Sequence, residues 1–249
     1  MIRINTEMNF VDHLMILMLF VVQPIYGAYA YRRYVAGIES GTPPRIVREY
    51  RNTMLVEWSA LAVLMLAWVI LARPLAALGF VFPAGTGFQL GLILLFLVTA
   101  YLVYAWRQAA AATPEKRAEV VESFGKLRHF MPHDRRTYKA FFWLSLTAGI
   151  VEEVLYRGFV FWYLQPFMPG WAVVAISALA FGLGHSYQGV GGVIRVTLIG
   201  VAFGAFYLLT GSIWLPIAAH VVLDILQGAM LLEYLRERKH EKTVSATSG

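Results

Sequence analysis

The chain has 249 residues, 59% of them hydrophobic and 14% charged, with mean hydropathy +0.60 and net charge +6. This balance excludes an ordinary soluble domain and predicts an all-α polytopic integral membrane protein. The lack of cysteine excludes a disulfide framework, thiolate metal ligands and a cysteine nucleophile.

Apolar runs of bilayer-crossing length, roughly 17–25 residues, fall near 13–31, 54–72, 88–106, 138–165, 171–186, 190–210 and 213–232. They predict about seven transmembrane helices, the fifth being the shortest. The segments 32–51, 107–139 and 236–242 hold 17 of the 21 lysines and arginines. Positive charge collects in cytoplasmic loops, so the N-terminus is expected outside and the C-terminus in the cytoplasm, as in a prokaryotic plasma membrane. Arg3 and Arg73 fall on the opposite side, and Arg157 and Arg195 lie within spans. The basic excess is thus topological, with no sign of a nucleic-acid partner.

The first run, with Ala28-Tyr29-Ala30 after it, imitates a cleavable signal. Its charges are reversed, with Glu7 and Asp12 before and Arg32-Arg33 after, so a retained span is expected. Residues 73–87, with Pro74, Pro83 and three glycines, read as a short interfacial or re-entrant piece. The cytoplasmic stretch 107–137 contains one surface helix, with Thr113 as N-cap and Pro114 at its first position. Ala118, Val121, Phe124 and Leu127 form its apolar stripe, expected to rest on the membrane as plain packing, with gating of substrate entry as the alternative. Glycines at 189, 191 and 192 read as a tight turn, since no Gly-Lys-Ser/Thr follows to make a phosphate loop. Residues 240–249 are expected to be a disordered tail. The chain divides as 1–137, N-terminal spans with the surface helix; 138–232, a membrane core of the last four spans; and 233–249, a basic tail.

The fourth run carries Glu152-Glu153-Val154-Leu155-Tyr156-Arg157. Ionisable groups at that depth are expensive and mark function. Residues four apart share a helix face, so Glu153 and Arg157 form a natural pair while Glu152 points elsewhere as the available carboxylate. Phe181 and His185 share a face on the fifth run, and His220 and Asp224 on the seventh. A carboxylate and an imidazole can deprotonate water while a second imidazole and a polar neighbour stabilise an oxyanion. The same groups could instead hold Zn or another divalent metal through Glu152, His185, His220 and Asp224. The spacing leaves both open. Other intramembrane protease signatures are absent: there is no Gly-x-Ser-Gly, no Gly-x-Gly-Asp, no His-Glu-x-x-His, and of three aspartates only Asp224 lies well inside a span. Glu57 and Arg195, the remaining charged residues in apolar runs, are expected near the cytoplasmic interface, Glu57 with a supporting role near the site as the alternative and Arg195 snorkelling toward headgroups.

In this order, Glu152-Glu153/Arg157, Phe181/His185 and His220/Asp224 resemble the CAAX protease and bacteriocin-processing family of intramembrane proteases, which includes the type II CAAX prenyl endopeptidases. The resemblance covers about 138–232. It implies an endopeptidase acting on a membrane-associated peptide, such as a prenylated, bacteriocin-like or sorting-signal tail. It further implies that Glu152 and His185 activate water, that His220 and Asp224 line the oxyanion site, and that Glu153, Arg157 and Phe181 support them, with no metal required. Asp224 departs from the asparagine of the prenyl endopeptidases, and an ionised Asp cannot donate to an oxyanion, so Asp224 either is protonated in its apolar setting, orients His220 or favours metal binding. A noncatalytic immunity or scaffold protein, and a proton-coupled transporter, are the competing expectations.

Overall fold

The computed structural model describes residues 8–247, with the side chains of Lys126 and 236–247 outside the description. The expectations for Arg3 and Glu7, for Ser248 and Gly249, and for the side chains of the tail fall outside it. Among the described residues all regular structure is helical. Eight helices follow in order: α1 Phe10–Glu39, α2 Ile46–Ile70, α3 Thr86–Ala110, α4 Pro114–Ser123, α5 over 135–164, α6 Gly170–Gly184, α7 Gly189–Thr210 and α8 Trp214–Thr247.

Five of them, α1, α2, α3, the Ser186–Thr210 helix that contains α7, and Trp214–Leu235 of α8, are long and apolar enough to cross a membrane. The other two predicted spans are present as helices but differ physically. α6 has 15 residues, short for a bilayer, and α5 is interrupted in its second half by the charged Glu152-Glu153-Arg157 set. Outward faces carry Leu66, Val69, Ile93, Phe96 and Leu198, all more than half exposed, which suits contact with lipid tails.

Two helices contain π-helical turns, at Met18–Val22 in α1 and Val154–Phe159 in α5. In α1 the wide turn sits just before Pro24, whose ring would clash with the carbonyl four residues back in a regular helix. The helix then continues to Glu39. In α5 the wide turn begins immediately after Glu153 and contains Arg157. Such turns concentrate at functional sites.

The two ends of the bundle are tied differently. At one, the 73–87 segment folds inward: Leu78 is fully buried, Gly79 takes φ +84°, and its carbonyl accepts from Ile213 N at 2.8 Å. There Arg73 makes a two-pronged bond to Asp12 at 2.8 and 2.7 Å and lies against Trp68 and Trp162. At the basic end, Tyr34 Oη donates to the carbonyl of His129 at 3.1 Å, and Tyr50 Oη to that of Phe130 at 2.6 Å.

Two expectations are corrected at this end. Thr113 caps α4, but the helix stops at Ser123 because Gly125 takes φ +51° and a 3-10 turn, Gly125–Phe130, follows. Its inner face is Arg117 and Val121, not Ala118, which is exposed. Arg117 faces inward because its guanidinium donates to the carbonyls of Ala110, Ala112 and Glu233 at 2.7 Å, tying α3 and α4 to α8. The tail likewise differs: α8 runs to Thr247, since 230–247 is rich in helix formers and contains neither Gly nor Pro.

Candidate active site

The α5 and α8 helices meet at Gly149. A Cβ there would lie 2.9 Å from the backbone nitrogen of Val221, so only glycine lets the two backbones approach this closely. That contact is one turn before Glu153 and one residue after His220. It delivers them to each other: His220 Nδ1 lies 2.8 Å from Glu153 Oε1. A carboxylate can only accept, so Nδ1 carries a proton and Nε2 is left to the cavity.

Glu153 is fully buried, and its Oε1 also receives Arg157 Nη1 at 2.8 Å. The pair read from the i, i+4 spacing is present, although the intervening turn is π-helical. Arg157 also donates through Nη2 to the carbonyl of Gly200 at 3.2 Å. Its guanidinium lies 4.5 Å from the Phe181 ring centroid and 5.4 Å from that of Phe203, a setting that stabilises a buried cation. Four helices, α5, α6, α7 and α8, are thereby fixed around one charge.

Phe181 has a second task. Its carbonyl accepts from His185 Nδ1 at 2.9 Å, so His185 too must hold its proton on Nδ1 and present a free Nε2. Phe203 stacks on His220, centroids 5.3 Å apart and planes at 22°. Phe181 meets the same imidazole edge-on at 6.1 Å. His220 can hardly turn in this setting, since both rings and the Glu153 bond restrain it.

Glu152, His185, His220 and Asp224 all line one cavity of about 620 Å³. His220 Nε2 points into it, 3.8 Å from Glu152 Oε2 and 3.8 Å from Asp224 Oδ2. Both separations are too long for hydrogen bonds. Of the roles weighed for Asp224, orienting His220 is therefore taken by Glu153 instead. The donor types would suit a divalent ion, but among the described residues no three His, Asp or Glu side chains are gathered so as to hold one.

Three more residues take part. Glu57, expected at the interface with a supporting role near the site as the alternative, lines this cavity, as does Arg195, expected to snorkel. Phe203 gave one faint signal: it continues the i, i+4 series Arg195, Ile199, Phe203 along α7, all three on the cavity wall. Part of the surface stripe also belongs here. Phe124 and Leu127, with Val120 beside them, close the cavity at its basic end, where α4 packs on α8.

Residues 135–226 match the family model described as type II CAAX prenyl endopeptidase Rce1-like. This core segment is similar to the Rce1-like family. The match contains Glu152, Glu153, Arg157, Phe181, His185, Arg195, Phe203, His220 and Asp224, and together with five helices of membrane-crossing length it supports an integral membrane protein. No curated protein and no solved structure matches the chain.

Proposed function

We propose that the protein is an intramembrane endopeptidase that hydrolyses a peptide bond of a membrane-associated substrate with water activated by Glu152 and His185. The observation that carries this reading is the pair of imidazoles whose Nδ1 protons are committed to Phe181 and Glu153, which leaves two free Nε2 atoms on the cavity that Glu152 and Asp224 also line.

The chemistry follows from those groups. Water donates one proton to Glu152 and is oriented by His185 Nε2, and its oxygen attacks the scissile carbonyl carbon. The carbonyl π bond breaks and its electrons form an oxyanion. In its doubly protonated form His220 donates through Nε2 to that oxyanion, with Glu153 as the counter-charge, and a protonated Asp224 adds a second donor. The oxyanion then collapses to re-form the carbonyl, the C–N bond breaks with its electrons going to nitrogen, and Glu152 gives its proton to that leaving nitrogen. No step is routed through a metal, because the side chains supply a base, an acid and an oxyanion donor by themselves.

The substrate enters from the basic end, which the distribution of lysine and arginine assigns to the cytoplasm. The cavity walls include Tyr31, Val56, Phe124, Phe130 and Leu144, an apolar and aromatic lining suited to a peptide that arrives with a lipid or an apolar tail. Purified protein in liposomes, given matched membrane-tethered peptides with and without a prenyl group, tests this reading by mass spectrometry of the products. Cleavage at one bond supports it. A panel left intact favours the noncatalytic immunity or scaffold role.

A further inference from the structure

The α2 wall of the cavity carries polar groups that the hydrolytic scheme leaves unused. Glu49, Thr53 and Glu57 all line it, and their i, i+4, i+8 spacing stacks them on one face of α2 over about 12 Å of helix axis. The series starts at the basic end, beside Tyr50 and its bond to Phe130, and leads inward. Its inner end is near the catalytic level: Trp58, next to Glu57, donates to Thr147 Oγ1 at 3.1 Å, and Thr147 precedes Glu152 on α5 by about 8 Å of rise.

Glu57 Oε2 is buried and has no hydrogen-bond partner among the described residues. Such an oxygen is costly unless it accepts from an arriving donor. Charge indicates the kind of donor. Four carboxyls, Glu49, Glu57, Glu152 and Asp224, line the cavity against one guanidinium, Arg195. With Asp224 protonated and His185 neutral, as in the hydrolytic scheme, Glu49, Glu57 and Glu152 face Arg195 and a doubly protonated His220, so the wall keeps an acidic excess. Glu153 and Arg157 do not alter this, because they neutralise each other.

We propose that this acidic rail selects substrates with a basic side chain, Lys or Arg, beside the scissile bond. Glu57 is the specificity-determining residue and Glu49 an earlier contact on the way in. The inference rests on the hydrolase reading and names its substrate class.

The test uses full-length protein in liposomes and tethered peptides that differ only in Lys against norleucine, scanned across the cleaved segment. At one position the Lys peptide should have a kcat/KM about tenfold higher, expressed in KM. The Lys-to-norleucine ratio should collapse to within about twofold in Glu57→Gln and fall in part in Glu49→Gln. The ratio is internal to each variant, so a smaller folded fraction leaves it unchanged. Absence of a Lys preference at every position, or a ratio unaltered in both variants, overturns the proposal. Binding of the same peptide pairs to Glu152→Gln, read by fluorescence anisotropy, separates this claim from the activity. Tighter Lys binding with no cleavage by wild type keeps the rail and sinks the hydrolase; cleavage without discrimination sinks the rail alone.

Discussion

Glu153 and His220, 67 residues apart in sequence, are joined by a 2.8 Å bond between Oε1 and Nδ1. That bond links the Glu-Glu-x-x-x-Arg helix to the last helix of the bundle and sets which imidazole nitrogen faces the cavity. Because Arg157 uses the same oxygen, Glu153 serves the charge balance of the core and the orientation of His220 together.

Removing the carboxylate charge should therefore have two effects. Glu153→Gln leaves Arg157 as an uncompensated buried cation, and a broken buried pair costs about 3–5 kcal/mol. Thermal unfolding in detergent should show a large drop in stability. Where folded protein survives, kcat should fall by about 10²-fold while KM changes little, since His220 loses its anionic partner.

Gly149→Ala tests the helix contact behind that bond. The added methyl meets Val221 N at 2.9 Å, so α5 and α8 must move apart, at a cost of about 1–3 kcal/mol. Activity should fall much further than stability does, because the displacement is applied one turn from Glu153. A variant with wild-type kcat would show that the Glu153–His220 distance is not critical.

Asp224 makes no hydrogen bond to His220 at 3.8 Å, so its value is expected to lie in donating to the oxyanion. Asn can donate in the same place. Asp224→Asn should keep kcat within about tenfold of wild type, whereas Asp224→Ala should lose about 10²–10³-fold. Equal losses in both variants would point to the carboxylate itself.

Chelation offers a separate test of the water-activation scheme. Wild type dialysed against a strong chelator should retain its cleavage rate, and added Zn²⁺ should not raise it. Loss on chelation with recovery on Zn²⁺ would move Glu152 and the two imidazoles into a ligand role.

Much of this arrangement was legible in the sequence because the membrane raises the cost of charge. Glu152, Glu153, Arg157, His185, His220 and Asp224 stood out against apolar runs, and the i, i+4 rule paired Glu153 with Arg157 before any geometry was known. What pairing rules do not carry is contact between distant helices. The Glu153–His220 bond depends on Gly149, and a glycine in an apolar run gives no sign of which helix it admits. The inward faces of α4 and the 3-10 turn were misjudged because an apolar stripe fits a bilayer surface and a protein cavity equally well; here Tyr34 and Tyr50 hold the stretch by the carbonyls of His129 and Phe130. The sequence leaves Glu57 between the interface and a supporting role near the site because nothing in α2 alone indicates that its face borders the cavity lined by Glu152.

The most direct measurement is cleavage of a membrane-tethered peptide by wild type and by Glu152→Gln, with folding of both checked by thermal unfolding. Gln preserves shape but cannot take a proton from water. A folded Glu152→Gln with its rate reduced by at least about 10³-fold is the predicted result. A folded Glu152→Gln that cleaves as fast as wild type would contradict the account.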